Sequence, residues 1–144
     1  MAGDVYDAFA MVGKALGESS ADVLFVDPFA NESILEFAAL APENVTIRVH
    51  TTDRYMATLQ PAASRWRQQY TQSRPLQIRV SDRKVLHDRL IIVDRDRIKT
   101  WTLGQSLKDL AARSPTTIAR TPAEVATSKI DAYADLWTKA TPLP

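Results

Sequence analysis

The 144-residue sequence lacks cysteine and has only four glycines and two histidines. The absence of cysteine excludes disulfides and thiolate metal ligands and fits a reducing compartment, so we expect a cytoplasmic protein. There is also no run of 18 or more apolar residues, which predicts no membrane insertion. The length is close to the commonest domain size and predicts one domain over residues 1–144.

Several motifs of enzyme chemistry are missing as well. Neither GxxxxGK[ST] nor GxGxxG is present, so no loop is expected to cradle a nucleotide. The nucleophile motif GxSxG is absent too, since the string GQSL at 104–107 lacks the second glycine. His50 and His87 have no carboxylate partners at metal-ligand spacing. We therefore expect neither a metal nor a cofactor.

Basic residues are scarce in the first third of the chain, and acidic residues are outnumbered in its middle. Residues 1–47 carry one basic and eight acidic side chains, whereas residues 48–120 carry fifteen basic and six acidic ones. The middle of the chain is therefore the part that could attract an anion. The alternative is that folding mixes these charges over the surface.

The spacing of apolar residues predicts alternating helices and strands. Helices are expected over 4–17, from 31–33 to 40, from 51–53 to 70 with a kink or break at Pro61, over 107–112, and over 122–137 with Thr121 as N-cap. Strands are expected over 21–29, 45–50, 75–80, 85–94, 97–103 and 117–119. This order predicts an α/β fold: a mixed, mostly parallel sheet with helices on both faces, an N-terminal helix within 1–20 and a tail at 138–144. The tail's prolines would suit a linker to further domains of a longer polypeptide.

The stretch VLHDRLIIVD, 85–94, places charged residues at the entrance of an apolar strand. Residues i and i+2 of a strand point to the same face, so His87 and Arg89 should project side by side. This pair is either an accident of a strand end or a small cationic site. After a predicted hairpin comes WTLGQSLKDL, 101–110, which contains Ser106 and Lys108.

The spacing of His87, Arg89 and Asp94, followed by GQSLKDL, resembles the signature of the phospholipase D superfamily. The likeness is strongest to small bacterial phospholipase D-like domains with one motif per chain, and it covers roughly residues 20–137. It implies a metal-independent phosphodiesterase, a hydrolase of the nuclease type, in which His87 attacks phosphorus and becomes a phosphohistidine. Arg89 would clamp a phosphate oxygen, Asp94 would brace the site, and Ser106 and Lys108 would complete the phosphate cradle. A single motif implies a homodimer whose two His87 rings face each other.

The resemblance leaves an alternative, a DNA- or phosphate-binding or dimerisation module without turnover. Two departures favour it. Arg89 stands where the family has lysine, and guanidinium and ammonium groups are not interchangeable. No acidic residue lies between Asp109 and Glu124, where many family members carry the acid that orients the histidine.

The basic middle favours nucleic acid over phospholipid as the partner. Arg65, Arg67 and Arg74 alternate with Trp66 and Tyr70 in SRWRQQYTQSR, 64–74, a composition that suits phosphate contacts and base stacking. The alternative is an amphipathic helix with both aromatic rings turned to the core.

Overall fold

The structure, a computed structural model, describes residues 2–112 and 118–144, with side chains for 9–109 and 118–144. The α-helices in these residues are α1 (Ala2–Gly17), α2 (Ile34–Ala38), α3 (Met56–Tyr70), α4 (Leu107–Ala112) and α5 (Ala123–Lys139). The strands are β1 (Asp22–Val26), β2 (Thr46–Thr51), β3 (Leu76–Val80), β4 (Leu90–Val93), β5 (Thr100–Leu103), β6 (Ile118–Arg120) and β7 (Thr141–Leu143). Two short 3₁₀ helices cover Asp53–Tyr55 and Arg97–Lys99.

The strands form one open sheet in the order β6-β5-β4-β1-β2-β3-β7. The mixed α/β fold is confirmed, but the expectation of a mostly parallel sheet is wrong. Among the strands that the structure describes, only β1–β2 and β2–β3 pair in parallel, and the other four pairings are antiparallel. The connections explain this in part: helices α2 and α3 carry the chain back between β1, β2 and β3, whereas a short connection joins β4 directly to the antiparallel β5.

Helices cover both faces of the sheet, as expected. One face packs against α1, α2 and α3 in the main core, which includes Leu16, Phe25, Phe37 and Leu59. Burying each of these side chains contributes about 1.5–3 kcal/mol. The other face packs against α5 in a smaller cluster that includes Tyr133.

The strand expected over 85–94 is shorter than predicted. Only Leu90–Val93 forms β4, and residues 85–89 lie in the loop before it. Asp82 begins this loop with a local turn, since its side chain accepts the N–H of Lys84 and its carbonyl accepts the N–H of Val85. Buried Leu86 then anchors the loop. Leu86 therefore packs into the protein from a loop, without joining the sheet.

Residues 138–144, expected to be a tail, contain strand β7. It pairs antiparallel with β3, and Leu143 lies opposite Ile78 in the main core. Two smaller expectations also differ. Helix α3 continues through Pro61, and the Thr121 hydroxyl contacts the Thr102 hydroxyl at 2.7 Å instead of capping α5.

Candidate functional site

Polar and aromatic side chains gather where the parallel strands end. In open α/β sheets, ligands collect outside the carboxyl ends of parallel strands. At this end of the sheet β1 and β2 finish, β4 begins and β5 finishes, so four chain segments meet. We call the side chains there the carboxyl-end surface: Phe29, Arg54, Tyr55, His87, Arg89 and Lys108.

Asp27 joins the end of β1 to the start of α4. Its side chain is buried, and one carboxylate oxygen accepts the Ser106 hydroxyl at 2.8 Å and the Leu107 N–H at 2.9 Å. The other oxygen accepts the N–H of Phe29 at 2.9 Å. Burial raises the pKa of Asp27, although these three donors and the charge of Arg89 oppose the rise. The result is a fixed joint beneath the carboxyl-end surface.

Ser106 belongs to this joint. It is 2% exposed, its hydroxyl donates to Asp27, and the same oxygen accepts the N–H of Lys108 at 3.2 Å. Ser106 thus sets the course of the chain that carries Lys108. A direct phosphate contact from this hydroxyl stays a prediction.

Arg89 and Lys108 line one cavity of about 280 Å³, with Phe29 and Tyr55 among its walls. An Nη of Arg89 donates to the carbonyl of Gly104 at 3.4 Å, and its buried Nε has no hydrogen-bond partner among the described residues. Lys108 Nζ donates to Asp109 at 2.7 Å and lies 5.3 Å from the centroid of the Tyr55 ring. The hydrogen bond to Asp109 raises the pKa of Lys108. Two cations and two aromatic rings therefore face one space.

His87 lines a second, smaller cavity of about 150 Å³ with Arg54 and Phe29. The Arg54 guanidinium lies 5.0 Å from the centroid of the Phe29 ring, which borders both cavities. The structure thus brings His87 and Arg89 to the same end of the sheet. Their expected position on a strand face is wrong, because both residues precede β4; each lines a different cavity.

Asp88, between these two residues, turns towards α5. Its carboxylate accepts Lys129 Nζ at 2.8 Å and the Tyr133 hydroxyl at 2.7 Å. This anchor fixes the loop on which His87 and Arg89 stand.

Asp94 lies at the far end of β4 from Arg89, roughly 16 Å away for five residues of extended chain. Its carboxylate accepts the N–H groups of Ser20, Ala21 and Asp22 at 2.7–3.1 Å. Burial acts to raise the pKa of Asp94, but these donors outweigh burial and the pKa lies below its usual value. Asp94 braces the start of β1 and is not part of the carboxyl-end surface.

The arginines of segment 64–74 are only partly free to meet a ligand. Arg67 donates to the carbonyls of Leu76 and Leu143, and Arg74 donates to the carbonyl of Ala41. Trp66, which is buried, donates to the carbonyl of Arg74 at 2.9 Å.

Arg65, by contrast, is exposed on α3. Nucleic-acid contacts from Arg65, Arg67 and Arg74 stay a prediction.

Sequence reasoning missed Asp27, Phe29, Arg54 and Tyr55 as site residues. A signal was available, because DPF follows the first strand and TTDRY follows the second. Two consecutive parallel strands end at the same edge of a sheet, so these strings had to be neighbours.

His50, which also ends a parallel strand, faces α5 instead. Its ring is fully buried, and Nε2 lies 2.7 Å from the Ser81 hydroxyl. Burial, helped by the charge of Arg79, lowers the pKa of His50 to about 4.

Among the side chains that the structure describes, those of residues 9–109 and 118–144, no group of three or more His, Asp or Glu is placed to hold a metal ion. Among residues 2–112 and 118–144, no helix has the length and apolar character needed to cross a membrane.

Comparison with known proteins gives a structural relative but no family. No family model matches the sequence, and no curated protein matches it. The fold matches the solved structure of TrmBL2, an archaeal chromatin protein described as showing a novel mode of DNA binding, with a TM-score of 0.61 and 13% identity. The match covers 96% of this chain and 50% of TrmBL2, so the chain spans half of that protein's length. At this identity the likeness establishes a shared fold only.

The comparisons contradict the assignment to the phospholipase D superfamily. The matched fold is that of a DNA-binding chromatin protein, and no family model supports the motif assignment. The geometry explains the error. Asp94 lies at the other end of β4 from His87 and Arg89, where it accepts backbone N–H groups, so the three motif residues do not form one site.

Proposed function

We propose that this chain is a DNA-binding module that holds the phosphate backbone without cleaving it. The observation that carries the proposal is the carboxyl-end surface, where Arg54, Arg89 and Lys108 alternate with the rings of Phe29 and Tyr55. The shared fold with a protein described as binding DNA supports the same conclusion.

The chemistry of this surface suits a phosphodiester chain. A guanidinium can donate two parallel hydrogen bonds to a phosphate. Arg89 lines the cavity, and its bond from an Nη to the carbonyl of Gly104 is long, at 3.4 Å. The charge of Arg89 acts on the buried Asp27 side chain and opposes the rise that burial causes in its pKa. Phe29 and Tyr55 offer flat apolar faces to sugars or bases next to the phosphates.

The arrangement is better suited to binding than to turnover. Attack on phosphorus needs the nucleophile about 3–3.5 Å from the atom that the cations hold. His87 is exposed and borders a different cavity from the one that Arg89 and Lys108 share. Arg89 and Lys108 can therefore hold a phosphate in a cavity that His87 does not line.

DNA binding is tested by fluorescence anisotropy with a labelled 20-base-pair duplex between 50 and 200 mM salt. The affinity should fall with rising salt, because each phosphate contact releases a counterion. The Arg89→Gln and Lys108→Gln variants should each bind more weakly and flatten the slope of log K against log salt by about 1. The duplex should be recovered uncut.

Lys14→Gln provides the matched control. Lys14 is an exposed cation on α1 beside Glu18, outside the carboxyl-end surface. Its substitution removes the same charge from the chain as the other two variants do. It should leave the salt slope unchanged. Equal effects of all three substitutions would contradict a specific surface, since they would reflect net charge alone. Cut DNA would contradict the proposal of binding without cleavage.

A further inference from the structure

The sheet face beneath α5 carries charged side chains, unlike the apolar face beneath α1 to α3. Strand β2 turns Arg48 and His50 to this side, and neighbouring strands contribute Asp22 and Arg79. Trp137 of α5 lies over them: the guanidinium carbons of Arg79 and Arg48 are 4.8 and 5.8 Å from its ring centroid. Burying charges beneath a helix costs free energy unless each charge has a partner.

The positive and negative charges beneath α5 do not balance. Asp22 is the only acidic residue among the described residues that line the cavity here. Its carboxylate is shared by Arg95, at 3.2 Å, and Arg48, at 3.6 Å. The Nε of Arg48 is buried and has no hydrogen-bond partner among the described residues. Burial and the charge of Arg95 lower the pKa of Arg48, as expected for a cation short of counter-charge.

Beside this pair of guanidiniums lies a cavity of about 220 Å³. Its walls are mostly apolar and come from both layers: Leu24 and Ile92 from the sheet, and Ile130 and Trp137 from α5. Ala134, an exposed residue of α5, stands at its mouth. Its lining shares no residue with the two cavities of the carboxyl-end surface.

We propose that this cavity binds a small amphipathic anion, a molecule with one flat apolar body and one carboxylate or phosphate group. The apolar body packs between Trp137 and Leu24, and the anionic group reaches Arg48 and Arg95. The ligand supplies the counter-charge that Asp22 alone does not provide. The volume is below the 300–1,000 Å³ typical of drug-sized ligands, so the body is about one ring in size. This inference does not depend on DNA binding.

The first test uses phenyl phosphate and benzoate as probes, followed by the NMR signal of the Trp137 indole N–H. Both probes should shift this signal saturably, and the stronger of the two identifies the preferred anionic group. Benzyl alcohol lacks the charge and inorganic phosphate lacks the ring, so each should bind at least tenfold more weakly. Equal binding of either control, or no shift with either probe, would overturn the proposal.

Variants separate this site from others. Ala134→Leu should fill the mouth and weaken binding at least tenfold, and Ala134→Ser should bind like the parent. Because residue 134 is exposed, neither change should lower the melting temperature. Arg89→Gln, at the carboxyl-end surface, should leave the Trp137 response unchanged. If Ala134→Leu binds as tightly as the parent, or Arg89→Gln abolishes the response, the cavity under α5 is not the site.

Discussion

His50 illustrates how its surroundings, rather than its residue type, decide the state of an ionisable side chain. The ring is fully buried, with Tyr133 and Trp137 edge-on to it at 6.1 and 5.6 Å between centroids. Its Nε2 contacts the Ser81 hydroxyl, and its Nδ1 has no partner among the described residues. The pKa falls to about 4 because burial, with help from Arg79, penalises the charged ring. His50 is therefore neutral near pH 7.

This low pKa predicts a loss of stability in mild acid. The unfolded chain takes up a proton near pH 6.5, whereas the folded chain does so only near pH 4. The stabilisation by the neutral His50 ring is complete above pH 6.5 and is lost as the pH falls towards 4. Over this range the free energy of unfolding falls by at most about 1.4 kcal/mol per pH unit. Urea unfolding of the parent and His50→Gln at several pH values measures it. The difference in unfolding free energy between the two proteins should narrow as the pH falls, and a constant difference would contradict the prediction.

At the scale of elements, the connection after β4 depends on one carboxylate. Asp94 and Arg95 both have a φ of 56°, and the N–H of Asp96 donates to the carbonyl of Val93, so the chain reverses in a tight turn of left-handed residues. Asp94 also receives three backbone N–H groups from the start of β1. One side chain thus joins the turn to the central strand.

Asp94→Ala should lower the free energy of unfolding by about 2–3 kcal/mol, because three N–H donors lose a charged acceptor and alanine is disfavoured at positive φ. Asp94→Asn is the matched control. Asparagine tolerates this conformation and keeps one acceptor oxygen, so its loss should be smaller. Urea unfolding at pH 7 measures both. Similar losses for both variants would contradict the role given to the charge and the turn.

The elements differ in how far the sequence predicts them. The helices α1, α3 and α5 and the strands β1 to β3 follow from periodicity, because each buries one face or lies inside the sheet. Strand β7 does not, since TPL has no alternation and contains a proline. The start of β4 differs from the prediction because Leu86 is an apolar residue buried from a loop. Periodicity cannot distinguish such a position from one in a strand.

The candidate site was harder to predict than the fold. Arg89 and Lys108 were identified from the resemblance to the phospholipase D signature, and the structure places both at one cavity. The joint at Asp27 links residues almost eighty positions apart in the chain, so no local pattern encodes it. Asp94 was expected to brace the site. It braces the start of β1 instead, at the far end of β4 from Arg89, although the two residues are close in sequence.

At the scale of the whole molecule, folding mixes the uneven charges of the sequence. Acids of the first 47 residues pair with bases from later in the chain, as Asp22 does with Arg48 and Arg95, and Glu18 with Arg120. The basic middle is thereby partly neutralised, and what stays available to an anion is local. The few cations of the carboxyl-end surface therefore predict the binding partner better than the net charge of the chain does.

The homodimer stays a prediction at this scale. It was implied by the resemblance to the phospholipase D superfamily, in which two His87 rings would face each other around one phosphorus atom. That assignment is contradicted, so the argument from the His87 rings no longer supports a dimer. Sedimentation equilibrium at micromolar concentration is the measurement. A dimer is expected at twice the chain mass of 16.0 kDa, and a species of 16.0 kDa throughout would contradict it. Further domains of a longer polypeptide likewise stay a prediction.

Strand β7 has a consequence for how the protein behaves in crowded solution. A bare β3 would offer a row of unpaired amides and carbonyls, the template on which foreign strands add and aggregates grow. Three residues cover most of that row, and Pro142 at their centre has no N–H to offer a newcomer. A strand of only three residues thus protects this edge of the sheet from pairing with another chain.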